Sequence, residues 1–288
     1  MEVERTNIEK VFWPDAALTK GDLLAYLDSV STPLLRALRD RPLTVIRFPD
    51  GIQGFSFYQK NTPKNAPPFV KTVTVRAESA KRDVSYAVAN SKEALLWLGN
   101  QAAVEFHPWT SRRDKLGNPD QLVFDFDPPE GNFRKAAEAA SRMGEVLGEA
   151  GLQGAAKTSG SKGVHVYVPI QRRYHHGQVM AAADRLGTRL EELEPALVTS
   201  SFGKAGRNGR VFIDTRRNVP GQHVAAPYSP RARPKATVSF PVPWEDLGTV
   251  EPESFSIVTV PKLLADGKDP WHHSLPKPQT LPAALIRD

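Results

Sequence analysis

Two aspartates, one residue apart, close an apolar run in LVFDFDPPEG, residues 122–131. In a strand, residues i and i+2 share a face. Asp125 and Asp127 therefore stand side by side, with Val123, while Leu122, Phe124 and Phe126 enter the core. The prolines after Asp127 stop the strand, which predicts the pair at a sheet edge. Carboxylates about 6–7 Å apart at Cα repel, and one pKa rises unless a cation lies between them. Hard cations such as Mg²⁺ and Mn²⁺ prefer oxygen ligands and keep positions open for phosphate oxygens. Two such ions can activate an attacking hydroxyl and stabilise a leaving oxygen. A bare D-x-D equally suits a solvated turn or a nucleotide-sugar glycosyltransferase.

Two further stretches end strands with polar groups. KTSGSKGVHVYV (157–168) sets a Gly/Ser/Lys turn between two strands. Successive backbone N–H groups in such a turn can form an anion nest. Ser159 and Lys162 add a hydroxyl and a cation, and His165 follows on the outgoing strand. The spacing is not that of a Walker A loop, and an ordinary hairpin would use the same glycines. VFID (211–214) ends on Asp214, which could equally cap a turn. Three carboxylates and an anion nest together point to a metal–triphosphate site.

These tips need strands behind them. LTVIRF (43–48), GFSFYQK (54–60), KTVTVRA (71–77), VSYAVA (84–89), VEFH (104–107), VHVYVPI (164–170) and GRVFID (209–214) read as strands, and VAAPYS (224–229) as a further candidate. The third and fourth pair around a charged tip. Leucines at helical spacing predict a helix over 17–39, with Thr19 as N-cap and Pro33 as an interruption. Asn90 with Glu93 suggests a capping box for a helix near 91–103. Asn132 opens a helix that Gly151 ends, and another helix runs near 176–193. The tail after residue 234 is rich in proline and turn residues. Strands and helices alternate without a regular βαβ rhythm, which predicts a mixed α+β fold. No linker is evident, so one domain is expected over 1–288. Its N-terminal lobe, about 1–100, would pack on a catalytic core at about 101–260.

The chain has 288 residues, 40% of them apolar, and no cysteine. Disulfides, thiolate metal sites and a cysteine nucleophile are excluded, and a cytoplasmic protein is expected. The start, MEVERTNIEK, has no secretory pattern, and no apolar run reaches the ~20 residues of a membrane span. The net charge of +6 and pI of about 9.5 favour an anionic partner such as nucleic acid or nucleotide.

In order and spacing, TNIEKVFWPDAALTKGDLLAYL, RFPDG, FYQKN, VEFHPW, LVFDFDPPEG, KTSGSKGVHVYVP, VFIDTRRN, APYSPRARP and GKDPW resemble one family. It is the polymerase domain of the bacterial non-homologous end-joining ATP-dependent ligase D, within the archaeo-eukaryotic primase superfamily. The resemblance implies that superfamily's mixed, largely antiparallel catalytic core with helices around it. It implies catalytic metal ligands at Asp125, Asp127 and Asp214, and nucleotide contacts at His107, Ser159, Lys162, His165 and Arg231. It implies a DNA 5′-phosphate pocket at Asn7, Lys10 and Lys20, and template stacking at Phe57 or Tyr58. Phe57 and Tyr58 are adjacent in a strand, so one should point inward. The segment around Lys81 and Arg82 matches a loop used in end synapsis. Arg216 and Arg217 are more basic than the family pattern. His272 and His273 read as surface residues. The ligase and phosphoesterase modules of multidomain members are not in this sequence, so a stand-alone member or an excised domain is expected.

The implied activity is template-dependent nucleotidyl transfer with Mg²⁺ or Mn²⁺ and NTP or dNTP. The task would be filling gaps and extending ends at breaks, with ribonucleotides preferred. Gapped or broken DNA, Ku and a DNA ligase would be partners, near the nucleoid. A de novo primase and a non-catalytic end-bridging module remain as rival readings.

Overall fold

The structure is a computed structural model that describes residues 3–77, 81–129, 132–267 and 269–286. Residues 78–80 of the charged tip, Glu130 and Gly131 after the diproline, and Lys268 of GKDPW lie outside the described residues. The chain divides into two compact units. One comprises Met1–Asp114, His223–Ser239 and Glu253–Asp269; the other comprises Lys115–Gln222, Phe240–Pro252 and Pro270–Asp288.

The first unit opens with a short antiparallel pair, β1 (Val11–Trp13) and β2 (Leu18–Thr19). α1 (Lys20–Ser29) follows. Thr19 caps it by accepting from the Asp22 N–H, and Asp22 returns the bond to the Thr19 backbone. α2 (Ser31–Leu38) is a separate helix. The break therefore falls at Val30, three residues before the expected interruption. Pro33 sits in the first turn of α2, where a missing N–H costs nothing. α3 (Lys92–Asn100) is capped by Ser91, whose Oγ accepts from the Ala94 N–H. Asn90, the expected cap, instead bonds Asp40 through its side chain. The sheet holds β3 (Leu43–Arg47), β4 (Phe57–Gln59), β5 (Lys71–Ala77), β6 (Arg82–Val88) and β7 (Ala103–Pro108), paired antiparallel. Residues 224–229 form no strand; single bridges join Trp109 to His223 and Pro230 to Val238.

The second unit is built on a six-stranded sheet in the order β11-β12-β8-β10-β9-β13. Its strands are β8 (Gln121–Asp127), β9 (Ala155–Thr158), β10 (Val164–Pro169), β11 (Val198–Thr199), β12 (Val211–Asp214) and β13 (Pro241–Val242). All neighbours are antiparallel except β11 and β12. α4 (Phe133–Glu149) starts at Asn132, whose side chain accepts from the Lys135 N–H, and Gly151 follows it at φ 71°. α5 (His176–Leu193) matches its expected span. Small residues line the buried faces of both helices, among them Ala136, Ala139 and Ala140 on α4 and Ala182 and Ala183 on α5. They let the helices approach each other and the sheet closely.

β8 is an interior strand, flanked by β12 and β10. The aspartates thus stand at a strand end but not at a sheet edge, contrary to the sequence-based expectation. The diproline stops β8, yet its neighbours supply the ladder up to Asp127. The run after residue 234 contributes β13 to this sheet, a pairing too short to read from proline-rich sequence. No helix among the described residues is long and apolar enough to cross a membrane.

Candidate active site

Sheet register places one polar row across the second unit. Asp214 on β12 lies opposite Asp125 on β8, Asp125 opposite His165 on β10, and His165 opposite Lys157 on β9. Directly opposed residues present their side chains to the same face, so the four form a transverse line. Asp127, two residues along β8, shares the face of Asp125.

The line is chemically connected. His165 Nε2 lies 3.3 Å from Asp125 Oδ1, and its Nδ1 lies 2.8 Å from Lys157 Nζ. Arg217 contacts both carboxylates of the line: its Nε is 3.1 Å from Asp125 Oδ2 and its Nη2 is 3.1 Å from Asp214 Oδ2. Local chain geometry puts it there. After β12, residues 216–218 make one 3-10 turn. Asn218 then bonds both backbone groups of Val123, donating to the O at 2.7 Å and accepting from the N–H at 2.8 Å. The fully buried Asn218 thus continues the ladder beside β8 where β12 ends, and Arg217 is held against the aspartates.

Burial, the mutual charges and the cations set three different carboxylates. Burial pushes Asp125 up, but His165 and Arg217 outweigh it and hold the carboxyl well below the usual range. Asp127 is raised by burial and by the charge of Asp125, against the pull of Lys162, Arg217 and Arg207. Asp214 is raised by burial; Arg217 pulls the other way and Asp125 adds to the rise. Such a set has more negative charge than one guanidinium offsets. Its donors are all oxygens, which suits a hard divalent cation. Among the described residues, no three acidic or histidine side chains gather around a common metal position. Asp125 and Asp214 turn toward Arg217 instead.

The turn between β9 and β10 is shaped by its own side chain. Ser159 Oγ accepts from the N–H groups of Ser161 at 3.2 Å and Gly163 at 3.1 Å. Those two donors, expected in an anion nest, close the loop internally. Gly160 has φ 67°, and a Cβ at Gly163 would meet the Phe126 carbonyl oxygen at 2.3 Å. Both glycines are required. Lys162 is exposed beside this turn.

The first unit gathers a second group. Glu105 and His107 share a face of β7 and bond at 2.9 Å between Oε2 and Nε2. Glu105 also takes Arg231 Nε at 3.0 Å and the Ala232 N–H at 3.0 Å. Burial opposes ionisation of Glu105, but Arg231, His107 and the Ala232 N–H bring its pKa down to about 2. Sequence reasoning named His107 and Arg231 but missed Glu105, which joins them. The signal was present: Glu105 and His107 alternate in a buried strand, as the two aspartates do. Lys157 was also missed, and Arg217 had no assigned role.

Tyr58 points outward with 63% exposure, and its ring lies 6.4 Å from that of His223. Phe57 is half-buried under Arg47, as adjacent strand positions require. Phe55, also missed, is 69% exposed and stacks on Phe57 at 5.7 Å. Near the N-terminus, Asn7 is exposed, Lys10 Nζ pairs with Asp50 at 2.7 Å, and Lys20 Nζ donates to the Thr6 carbonyl at 2.6 Å. Burial and then the charges of Lys10 and Arg47 lower the Lys20 pKa, so these cations are close enough to repel. Lys81, Arg82, His272 and His273 are exposed.

The family model described as "LigD, primase-polymerase domain" matches residues 19–271. The multifunctional non-homologous end joining protein LigD of Mycobacterium bovis is 35% identical over 85% of this chain, which spans 33% of that protein. The corresponding protein of Pseudomonas aeruginosa is 31% identical over 99% of the chain and 34% of its own length. The chain thus spans about a third of these curated relatives. The solved polymerase domain of Mycobacterium tuberculosis ligase D in complex with DNA superposes with a TM-score of 0.88 at 32% identity. That match covers 95% of this chain and 98% of the solved one. The motifs quoted from the sequence, the sheet that aligns its acidic tips, the family model over residues 19–271 and this superposition agree: the chain belongs to the LigD primase-polymerase domain family.

Proposed function

We propose that the chain is a template-dependent nucleotidyltransferase that fills gaps and extends ends of broken DNA in non-homologous end joining. Its primer 3′-hydroxyl would attack the α-phosphate of a nucleoside triphosphate, and pyrophosphate would leave. One observation carries the reading: the Asp214–Asp125–His165 line with Asp127 beside it, in a fold of this family. Asp125, Asp127 and Asp214 would hold the divalent metal, Mg²⁺ or Mn²⁺, once Arg217 releases two of them. The metal would lower the hydroxyl's pKa and offset phosphate charge. His165 and Lys162 would donate to phosphate oxygens, and Ser159 would keep their turn in shape. Arg231, held by Glu105, is a proposed triphosphate contact, and His107 and Ser159 are each proposed as nucleotide contacts that favour ribonucleotides. A pocket that bonds a 2′-hydroxyl leaves its own groups unpaired when the hydroxyl is missing. Tyr58, and Phe55 beside Phe57, offer ring faces for template bases. Ku and a separate ligase are proposed partners, as the relatives are non-homologous end joining proteins.

The test is single-nucleotide extension on a gapped duplex, with NTP and dNTP compared under Mg²⁺ and under Mn²⁺. Metal-dependent, template-directed addition with NTP favoured is expected. Equal use of NTP and dNTP removes the ribonucleotide preference. Dinucleotide synthesis without a primer favours the primase, and end binding without extension the bridging module.

A further inference from the structure

Lys157 has 0% exposure, an unusual place for an ammonium group. It lies within β9, one step along the polar row from His165 and two from Asp125. The Tyr167 ring is 5.7 Å from its Nζ, and Pro241 of β13 faces it from the other side. An aliphatic residue would fill this strand position without burying charge, so the ammonium group needs a reason.

The reason lies in what each partner of His165 can do. A lysine ammonium group only donates hydrogen bonds, and an ionised carboxylate only accepts them. At 2.8 Å from Lys157 Nζ, His165 Nδ1 must present its lone pair. At 3.3 Å from Asp125 Oδ1, Nε2 must present its proton. Both contacts demand the same neutral ring. The more common partner for the outer nitrogen of a functional histidine is a carbonyl or carboxylate. Such an acceptor would place the proton on Nδ1 and set the Nε2 lone pair against the Asp125 carboxylate.

We infer that Lys157 is a positioning residue: its buried ammonium group fixes His165 as the Nε2–H tautomer, a standing donor toward the anionic side of the row. Resting on the function proposed above, that donor serves a phosphate oxygen of the incoming nucleoside triphosphate. A ring with the opposite tautomer would offer the phosphate a lone pair. Lys157 therefore acts through His165 and touches no substrate.

Nitrogen NMR of the full ¹⁵N-labelled chain, metal-free and near neutral pH, reads the tautomer directly. His165 is assigned by the signals lost in His165→Asn. A pyridine-like Nδ1 with a pyrrole-like Nε2 is expected in the parent. The reversed pattern, or two pyrrole-like nitrogens, overturns the inference whatever the variants do. Lys157→Met keeps the length and removes the donor; the His165 pattern should become mixed or reverse. Calorimetric binding of ATP with Mn²⁺ should weaken roughly 10-fold or more in this variant, as for the loss of an oriented charge-assisted hydrogen bond. Lys157→Arg, which keeps a donor, should retain the parent pattern and most of the affinity. Unchanged nitrogen shifts and ATP affinity in a folded Lys157→Met also overturn it. If that variant does not fold, the parent's own shifts decide. The tautomer readout uses no nucleotide. A parent that fails to bind ATP would remove the proposed function while the nitrogen shifts still judge Lys157.

Discussion

Arg217 and His165 hold Asp125 ionised, while burial leaves Asp127 and Asp214 short of compensation. These opposite shifts predict opposite pH behaviour. A carboxyl with a depressed pKa contributes stability above its unfolded value of about 3.9, lost as pH falls through the folded value. A carboxyl with a raised pKa contributes stability below that unfolded value, lost as pH rises through the folded one. Asp127 thus works against the fold when ionised. Asp127→Ala should abolish primer extension yet match or exceed the parent in thermal stability, with the gain growing as pH rises from 4 toward 7. Melting curves across that range check it, and extension under Mn²⁺ above a few per cent of the parent rate would sink the metal assignment. Arg217→Gln has the reverse signature. It strands two buried carboxylates, and about 1–3 kcal/mol of stability should go. Added Mn²⁺ should then raise the melting temperature more than in the parent, because no guanidinium competes for the ligands. The aspartates were legible because strand alternation is a rule of covalent geometry. Arg217 was visible only as a departure from pattern, since a three-residue turn and the Asn218 clamp decide where it points. Lys157 drew no separate reading at the head of its Gly/Ser/Lys turn, because its partner is eight positions away across a hairpin.

At the scale of elements, β7 and the β9–β10 hairpin present polar groups from buried strands. Glu105 ties β7 to the turn at 231–232 through Arg231 and the Ala232 N–H. Its pKa of about 2 against 4.5 is a linkage on the order of 3 kcal/mol. Because that pKa is depressed, this stability is complete above about pH 4.5 and disappears as pH falls toward 2. Glu105→Gln should lose most of it at neutral pH, and the parent–variant difference should shrink across that acid window; urea titrations at several pH values measure it. Gly163 supports the other element. A methyl group there must displace the Phe126 carbonyl, so Gly163→Ala should cost about 1–3 kcal/mol, as overpacking does. It should also weaken nucleotide binding, since the same turn carries Ser159 and Lys162. A variant with parental melting temperature and ATP affinity would contradict the close approach. Helix and strand types were largely readable from periodicity and caps, down to Thr19, Asn132 and Gly151. The errors share one cause. Ser91 outcompeted Asn90 for a helix end because Asn90 was already committed to Asp40, which sits 50 positions away. β8 became an interior strand through β12, a neighbour that no local pattern announces.

On the scale of the whole molecule, the net charge of +6 gives any DNA a general attraction. A specific reader of DNA ends must be separated from it. Asn7, Lys10 and Lys20 were selected by family resemblance alone, because a short charged segment has no distinguishing pattern. The first unit brings the two lysines near enough to repel, which is costly unless an anion visits. Their roles nevertheless differ. Lys20 is 5% exposed and donates to Thr6 O, which ties the N-terminal segment to α1. Lys10 keeps a side chain 40% exposed and pairs with Asp50, an ion pair that solvent weakens. In such a pocket Lys10 would be the exposed arm and Lys20 the anchor. A terminal phosphate is dianionic and an internal phosphodiester carries one charge, so a pocket of this kind favours an end. The expected gain is on the order of 1–3 kcal/mol, or roughly 5- to 150-fold in affinity. Binding to gapped DNA with and without the 5′-phosphate should show that ratio in the parent. In Lys10→Ala the ratio should collapse toward one with the melting temperature unchanged. Lys20→Ala should lose the ratio and some stability together. Raising salt should weaken both DNAs through counterion release, so the ratio is read at each salt concentration. A parent indifferent to the phosphate refutes the pocket. A Lys10→Ala/Lys20→Ala chain that keeps the full ratio places end recognition elsewhere on the basic surface. If the ratio is lost while extension of an open primer survives, end reading and chemistry belong to separate groups of residues, and general charge accounts for neither.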